Sequence, residues 1–240
     1  MPRKHKTVVF GAGRHAKVVL DVLERMGRYA VVGLLDNSQE LYGTVRWGQK
    51  VLGGRDQFGT LLAKGVNRLI VALGDNRERQ SVFDEAVKAG FELVSAVHPS
   101  VQLGRGVIIG PGSLLVAGTV VNVDTQIGAN VILNTGATVD HDCRVGAHAH
   151  ISPGVHLAGN VTVGELAHIG IGAFNLVRTS VYRAVGGHAT IPSGAEQLSR
   201  PRVIRARFAG STGDRRAPSP RPRTPARPTS PAPPGATPAA

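Results

Sequence analysis

The chain places a histidine directly before an aspartate, His141-Asp142, and no other pair in it is better suited to moving a proton. A carboxylate beside an imidazole fixes the ring's tautomer and raises its basicity, which makes the ring a general base. The pair closes the stretch Asn134-Thr135-Gly136-Ala137-Thr138-Val139-Asp140-His141-Asp142-Cys143, and more histidines follow at His148, His150, His156 and His168. A second chemical signal lies near the N-terminus, in Gly11-Ala12-Gly13-Arg14-His15-Ala16. Glycines at the mouth of a helix let backbone N–H groups approach a phosphate, and the helix dipole favours its charge. Asp36, 20 residues after Ala16, stands where a ribose hydroxyl is held in such units. NAD and a nucleotide sugar each carry a pyrophosphate and a ribose, so the loop fits either; a glycine turn with no ligand is the third reading. Cys143 is the single cysteine and forms no intramolecular disulfide. It reads as a small core residue, not a nucleophile.

Elements must exist to hold these groups. Thr7 to Phe10 reads as a buried strand, followed by the glycine turn. Ala16 to Met26 carries Val18, Val19, Val22 and Leu23 at helical spacing. Val31 to Leu35 is a second strand ending at Asp36-Asn37, and Arg68 to Leu73 a third ending at Gly74-Asp75-Asn76. Residues 77–89 form a helix with Val82, Phe83, Ala86 and Val87 on one face. Alternating strands and helices predict a parallel sheet, a Rossmann-like domain over residues 1–95. Ligands on such sheets sit at the carboxyl ends of the strands, where all three loops lie.

Beyond residue 96 the period changes. Thirteen aliphatic residues recur every six positions from Val97 to Ile169, and the fourth residue after each is Val, Ser, Thr, Ala or Cys. A period of six is neither helical nor that of an alternating strand; it is the hexapeptide signature of a parallel β-helix, here left-handed, over residues 96–192. The aliphatic residue points inward and the small one packs beside it. Gly or Asn often follows the aliphatic residue, as at Gly104 and Asn134, and is expected to relieve the backbone at the corners. Three hexapeptides close one coil, so residues 18 apart stack, His150 on His168 among them. After Ala173 the register decays. Residues 193–240, rich in Arg and Pro, are expected to be a disordered tail.

The net charge of +12 has little bearing on nucleic acid. Nine arginines against one acid put +8 into residues 200–240, and the other 199 residues carry +4 with no basic stripe interleaved with aromatics. No apolar run reaches a transmembrane length, and only Val8 to Phe10 follows the basic N-terminus, too little for a signal peptide. The expectation is a cytoplasmic protein that binds neither nucleic acid nor membrane.

Phe10-Gly11-Ala12-Gly13-Arg14-His15-Ala16-Lys17, Leu35-Asp36-Asn37, Ala72-Leu73-Gly74-Asp75-Asn76, His98-Pro99-Ser100, the stretch 134–143 and Leu157-Ala158-Gly159-Asn160-Val161 together resemble the bacterial sialic acid O-acetyltransferase / UDP-4-amino-sugar N-acetyltransferase family. The resemblance implies an acetyl-CoA-dependent acetyltransferase of glycan biosynthesis that acts on the amino or hydroxyl group of a nucleotide-activated sugar and needs no metal. It implies His141 as the general base with Asp142 supporting it, and His150, Gly159 and Ile171 facing acetyl-CoA. It implies Gly13, Arg14, His15, Asp36, Asn37 and Gly74 around the nucleotide sugar, and a homotrimer. Other readings explain less. An NAD oxidoreductase leaves the solenoid without a role, and a zinc hydratase on this scaffold needs two histidines five apart, which the solenoid lacks. Because the family continues with regular coils after the stretch matching 170–173, the alternative is a nucleotide-sugar binder that has lost its C-terminal CoA-binding coils.

Overall fold

In the computed structural model, residues 4–170 are described. The expected tail, the end of the expected prism and Ile171 lie outside them. The N-terminal half runs β1 (His5–Phe10), α1 (Arg14–Met26), β2 (Tyr29–Leu35), β3 (Val45–Arg46), β4 (Gln49–Gly53), α2 (Phe58–Ala63), β5 (Arg68–Val71), α3 (Asn76–Ala89) and β6 (Glu92–Leu93). The sheet order is β3-β4-β2-β1-β5-β6, with β4, β2, β1, β5 and β6 parallel and β3 antiparallel to β4. The order reverses beside β1, so the ends of β1, β2 and β5 face one crevice. The hairpin of β3 and β4 and helix α2 lack a clear sequence signal: the hairpin strands are short and half exposed, and α2 has only six residues.

From Ala96 each hexapeptide contributes one two-residue strand, and the strands stack into three parallel faces. Face one holds Ala96–Val97, Leu114–Leu115, Ile132–Leu133, His150–Ile151 and His168–Ile169. Face two begins at Gln102–Leu103 and passes through Thr138–Val139 to His156–Leu157. Face three begins at Ile108–Ile109 and passes through Arg144–Val145 to Thr162–Val163. Partners are 18 apart, as Leu114 with Ile132 and His150 with His168. The interior is one apolar column from Leu115 through Val139 and Cys143 to Ala167.

The corner glycines have a different cause from the expected one. The left-handed residues lie three positions after the aliphatic residue, at Asp124, Asp142 and Asn160 on one corner and Asn130, His148 and Leu166 on the next. Gly104, Gly110, Gly128 and Gly146, directly after it, are there for space. A Cβ on Gly110 would come within 2.5 Å of the Ala129 nitrogen, and one on Gly146 within 2.5 Å of the Glu165 nitrogen.

The two halves share a core. The outward residues of face one begin Ala96, Leu114, Ile132, and these three pack into one cluster with Ala12, Ala16, Val19 and Val22 of the N-terminal half. The next two outward positions are His150 and His168, where the ladder turns from apolar to titratable.

Candidate active site

The glycine loop is built by the sheet. Gly11 N donates to Leu35 O at 2.7 Å, which lashes the end of β1 to the end of β2. Its φ of +117° and the 2.6 Å from its would-be Cβ to Ala72 O restrict the position to glycine. Gly13 caps α1 with no side-chain bond, and the first turn of the helix carries no acid. Asp36, expected beside a ribose, braces the loop: Oδ2 accepts from Ala12 N at 2.7 Å and Oδ1 from Ser38 N at 2.9 Å. Asn37 is tied to the rim, donating to Glu78 Oε1 and accepting from Arg55 Nε. Arg14 is exposed at the start of α1. Trp47, which sequence reasoning passed over, lays its indole on the loop and donates to the carbonyls of Ala12 and Gly13 at 3.1 and 3.0 Å.

His15, Gly74 and His150 meet. The His15 and His150 rings lie 6.4 Å apart between centroids, and His150 stacks on His168 at 4.6 Å. Asn134 Nδ2 donates to His150 Nε2 at 3.2 Å, which leaves the proton on Nδ1. That Nδ1 faces the Gly74 backbone without closing a full hydrogen bond, and His15 Nε2 is buried without a partner. Burial, and then the Arg79 charge, holds His15 down to about 4. Burial, reinforced by His168, Arg79 and His15, holds His150 down to about 3. Both rings are therefore neutral at physiological pH.

His141 belongs to a separate cluster. It follows the Thr138–Val139 strand, on the corner between faces two and three. Asp142, left-handed with φ 58°, turns back so that its Oδ2 accepts from His141 Nδ1 at 2.8 Å. That bond leaves the Nε2 lone pair free, and it lifts the imidazole above its ordinary range. Asp140 Oδ1 accepts from His141 N at 3.0 Å and Asn122 Nδ2 at 2.7 Å, and Thr125 Oγ1 pins the Asp140 carbonyl from inside at 2.7 Å. The ring lies over Gly159, where a Cβ would stand 2.6 Å from His141 Nε2. Cys143 is inert: fully buried, with Sγ donating to Ala158 O and its thiol pushed up by burial. Among the described residues no group of three or more His, Cys, Asp or Glu could hold a metal ion, and no helix is long and apolar enough to cross a membrane.

One chain therefore unites Gly13, His15, Gly74 and His150 around the crevice, and His141, Asp142 and Gly159 on the corner opposite face one. A single prism does not bring these clusters together, because that corner and face one lie on opposite sides of the triangle.

A phosphate-type glycine loop on a parallel sheet, joined to a hexapeptide prism with an exposed His–Asp pair, defines the class: a hexapeptide-repeat transferase with a nucleotide-binding domain. Residues 6–86 match the family model described as PglD N-terminal domain, and residues 124–159 match bacterial transferase hexapeptide (six repeats). Among solved structures the chain is 41% identical to a histidine-to-asparagine variant of perosamine N-acetyltransferase from Caulobacter crescentus, in complex with CoA and GDP-perosamine, over 68% of this chain and 76% of that one, with a TM-score of 0.65. It is 37% identical to the acetyltransferase domain of PglB from Neisseria gonorrhoeae FA1090, over 69% and 80%, with a TM-score of 0.63. It is 34% identical to PerB from Caulobacter crescentus, in complex with CoA and GDP-perosamine, over 68% and 88%, with a TM-score of 0.57. No curated protein sequence matches the chain. The chain belongs to the hexapeptide-repeat sugar acetyltransferases that carry a PglD-type N-terminal domain.

Proposed function

We propose that the protein transfers the acetyl group of acetyl-CoA to the amino group of a nucleotide-activated sugar in bacterial glycan synthesis. The observation that carries this reading is the His141 ring, whose Nδ1 is engaged by Asp142 and whose Nε2 is free above Gly159. In the reaction the sugar amine attacks the thioester carbonyl while His141 Nε2 takes its proton. A C–N bond forms, the tetrahedral adduct collapses, and the C–S bond breaks. The CoA thiolate leaves and recovers a proton from the imidazolium. No enzyme nucleophile takes part, in keeping with the burial of Cys143.

In this reading residues 1–95 bind the nucleotide sugar and the prism binds acetyl-CoA. Gly13, Arg14 and His15 hold the pyrophosphate region, Asp36 and Asn37 shape its rim, and Gly74 and His15 face the sugar. His150, Gly159 and Ile171 face the acetyl-CoA. The relatives from Caulobacter crescentus, in complex with CoA and GDP-perosamine, support both ligand classes. Because His141 and His150 lie on opposite sides of one prism, a complete site takes the His141 corner of one copy and the crevice of the next. Three copies around an axis satisfy that for every chain, so a homotrimer is part of the proposal. Acetyl-CoA and nucleotide sugars are cytoplasmic metabolites, which is where the protein acts.

The test is release of CoA thiol from acetyl-CoA with a panel of GDP- and UDP-amino sugars. Turnover with at least one amino sugar is expected. A chain that binds these sugars and releases no thiol is a nucleotide-sugar binder instead.

Two variants probe the base. In Asp142→Asn the amide oxygen can still accept from His141 Nδ1, but the carboxylate charge that raises the imidazole is lost, so its protonated form is less favoured and the acid limb of the kcat/KM profile moves to lower pH. With a weaker base the plateau falls about tenfold. An unmoved limb would separate Asp142 from the titration. In Gly159→Ala the added methyl meets the imidazole, while the backbone at Gly159, which is outside the left-handed region, accepts it. A displacement of about 1 Å at the base is expected to cost roughly a hundredfold in kcat at an unchanged melting temperature. Wild-type turnover in this variant would show that the ring does not need its seat over Gly159.

A further inference from the structure

Helix α3 buries Val82, Phe83 and Ala86, and Arg79 falls on the same apolar stripe. Its exposure is 0%. Among the described residues it forms no ion pair; its donors go to backbone carbonyls. Nε donates to Asn130 O at 3.2 Å, Nη1 to Leu73 O at 3.2 Å and Gly74 O at 3.3 Å, and Nη2 to His148 O at 2.7 Å and Ala149 O at 3.3 Å. Asn130 and His148 are left-handed residues of successive coils on the corner between faces three and one. Asn76, one turn earlier on α3, reaches the coil after them, donating to Leu166 O at 2.9 Å and Ala167 O at 3.0 Å. One turn of helix thus grips three coils. Asn130 Nδ2 returns a bond to Arg79 O at 3.3 Å.

A cation this deeply buried is expensive when no carboxylate pairs with it directly and only Asp75, at the exposed N-cap of the same helix, acts on it from nearby, and an apolar side chain of the same size would pack on this stripe at less cost. What the guanidinium adds is reach: its fork joins the loop at the end of β5 to the strand entrance that delivers His150, one residue after Ala149. The loop carries Gly74, and in the acetyltransferase reading the place where Gly74, His15 and His150 meet borders the sugar end of the crevice.

We propose that Arg79 is a positioning residue, clamping the Leu73-Gly74 loop to the Asn130 and His148 corners and so fixing the loop beside which the nucleotide sugar presents its amine. The proposal rests on the acetyltransferase reading for its consequence in turnover, and on geometry alone for the clamp. A lysine keeps the charge but puts its three donors on one atom, so it does not span the same carbonyls.

The test uses the full chain with Arg79→Lys, Arg79→Met and Asn76→Ala. Steady-state kinetics with acetyl-CoA and the amino sugar that the wild type turns over should show KM for the sugar raised about tenfold to a hundredfold in Arg79→Lys, the loss of charge-assisted bonds that hold the loop. The fall in kcat at saturating sugar should be smaller than the rise in KM. Asn76→Ala should raise the same KM by a smaller factor. A residue that served only stability would lower the melting temperature and leave KM at wild-type value well below the melt. Amide hydrogen exchange supplies a readout that needs no turnover: exchange at positions 72, 78 and 79, whose N–H groups are bonded to Phe10 O, Asp75 Oδ1 and Asp75 O beside the clamped loop, should quicken by about tenfold or more in Arg79→Lys while the amides of the prism interior keep their protection. If Arg79→Met does not fold, the lysine and Asn76 variants carry the test. A folded Arg79→Lys with wild-type exchange at positions 72, 78 and 79 overturns the clamp. Quickened exchange with an unchanged KM overturns its role in sugar placement. If the wild type acetylates no amino sugar, the function reading fails and the exchange result still decides the clamp.

Discussion

His141→Ala is expected to lower kcat by roughly 10² to 10⁴, the usual contribution of a positioned general base, with nucleotide-sugar affinity unchanged. The reasoning is spatial. His141 lies on an exposed corner whose backbone is held independently of its ring: Asp140 accepts the His141 N–H, Thr125 bonds the Asp140 carbonyl, and Asn160 N donates to His141 O at 2.8 Å. Removal of the ring leaves that corner and the interior column intact, so the melting temperature should hardly move. The nucleotide crevice is built from other residues of the chain and keeps its ligand. Pre-steady-state thiol release together with calorimetry separates the two effects. Turnover at the wild-type level in this variant would remove His141 from the chemistry and return the solenoid to a purely structural part.

Gly13→Val is expected to abolish nucleotide-sugar binding in a protein that remains folded. Gly13 and Gly11 have different needs. Gly11 sits at φ +117° against Ala72, so any side chain there disrupts the junction of β1 and β5. Gly13 has φ −76° and nothing within 4 Å of a Cβ, so the fold accepts valine. Its isopropyl group would occupy the approach to the uncapped N–H groups of α1, where the pyrophosphate is proposed to sit. Loss of two charge-assisted bonds at roughly 1.5–3 kcal/mol each corresponds to about a hundredfold or more in Kd. Calorimetry with GDP- and UDP-sugars, and with NAD in parallel, gives the answer. Tight NAD binding by the wild type without sugar-nucleotide binding would reverse the assignment of the crevice, and unimpaired sugar-nucleotide binding by the variant would move the phosphate away from this loop.

The features open to sequence reasoning are those whose contacts are local in the chain. A hexapeptide coil touches its neighbour at a fixed offset of 18, so every inward position repeats on schedule and Val97 to Ile169 declares the prism without help from the rest of the molecule. His141 and Asp142 share one corner, and adjacency alone puts a carboxylate beside the ring. The glycine loop is equally local, a strand end running into a helix start. The docking of the N-terminal half on face one was decided by the tertiary structure. Its trace in the sequence is faint: Ala96, Leu114 and Ile132 on the outward side of a solenoid, and an arginine on the apolar stripe of α3. From that docking came the meeting of His15 with His150, the burial that keeps both neutral, and the grip of Arg79 on the corners. It was also tertiary structure that gave Asp36 to the Ala12 amide and laid Trp47 on the loop carbonyls. A side chain's partners across a domain junction depend on how two separately patterned surfaces register, and neither periodicity nor motif spacing encodes that register.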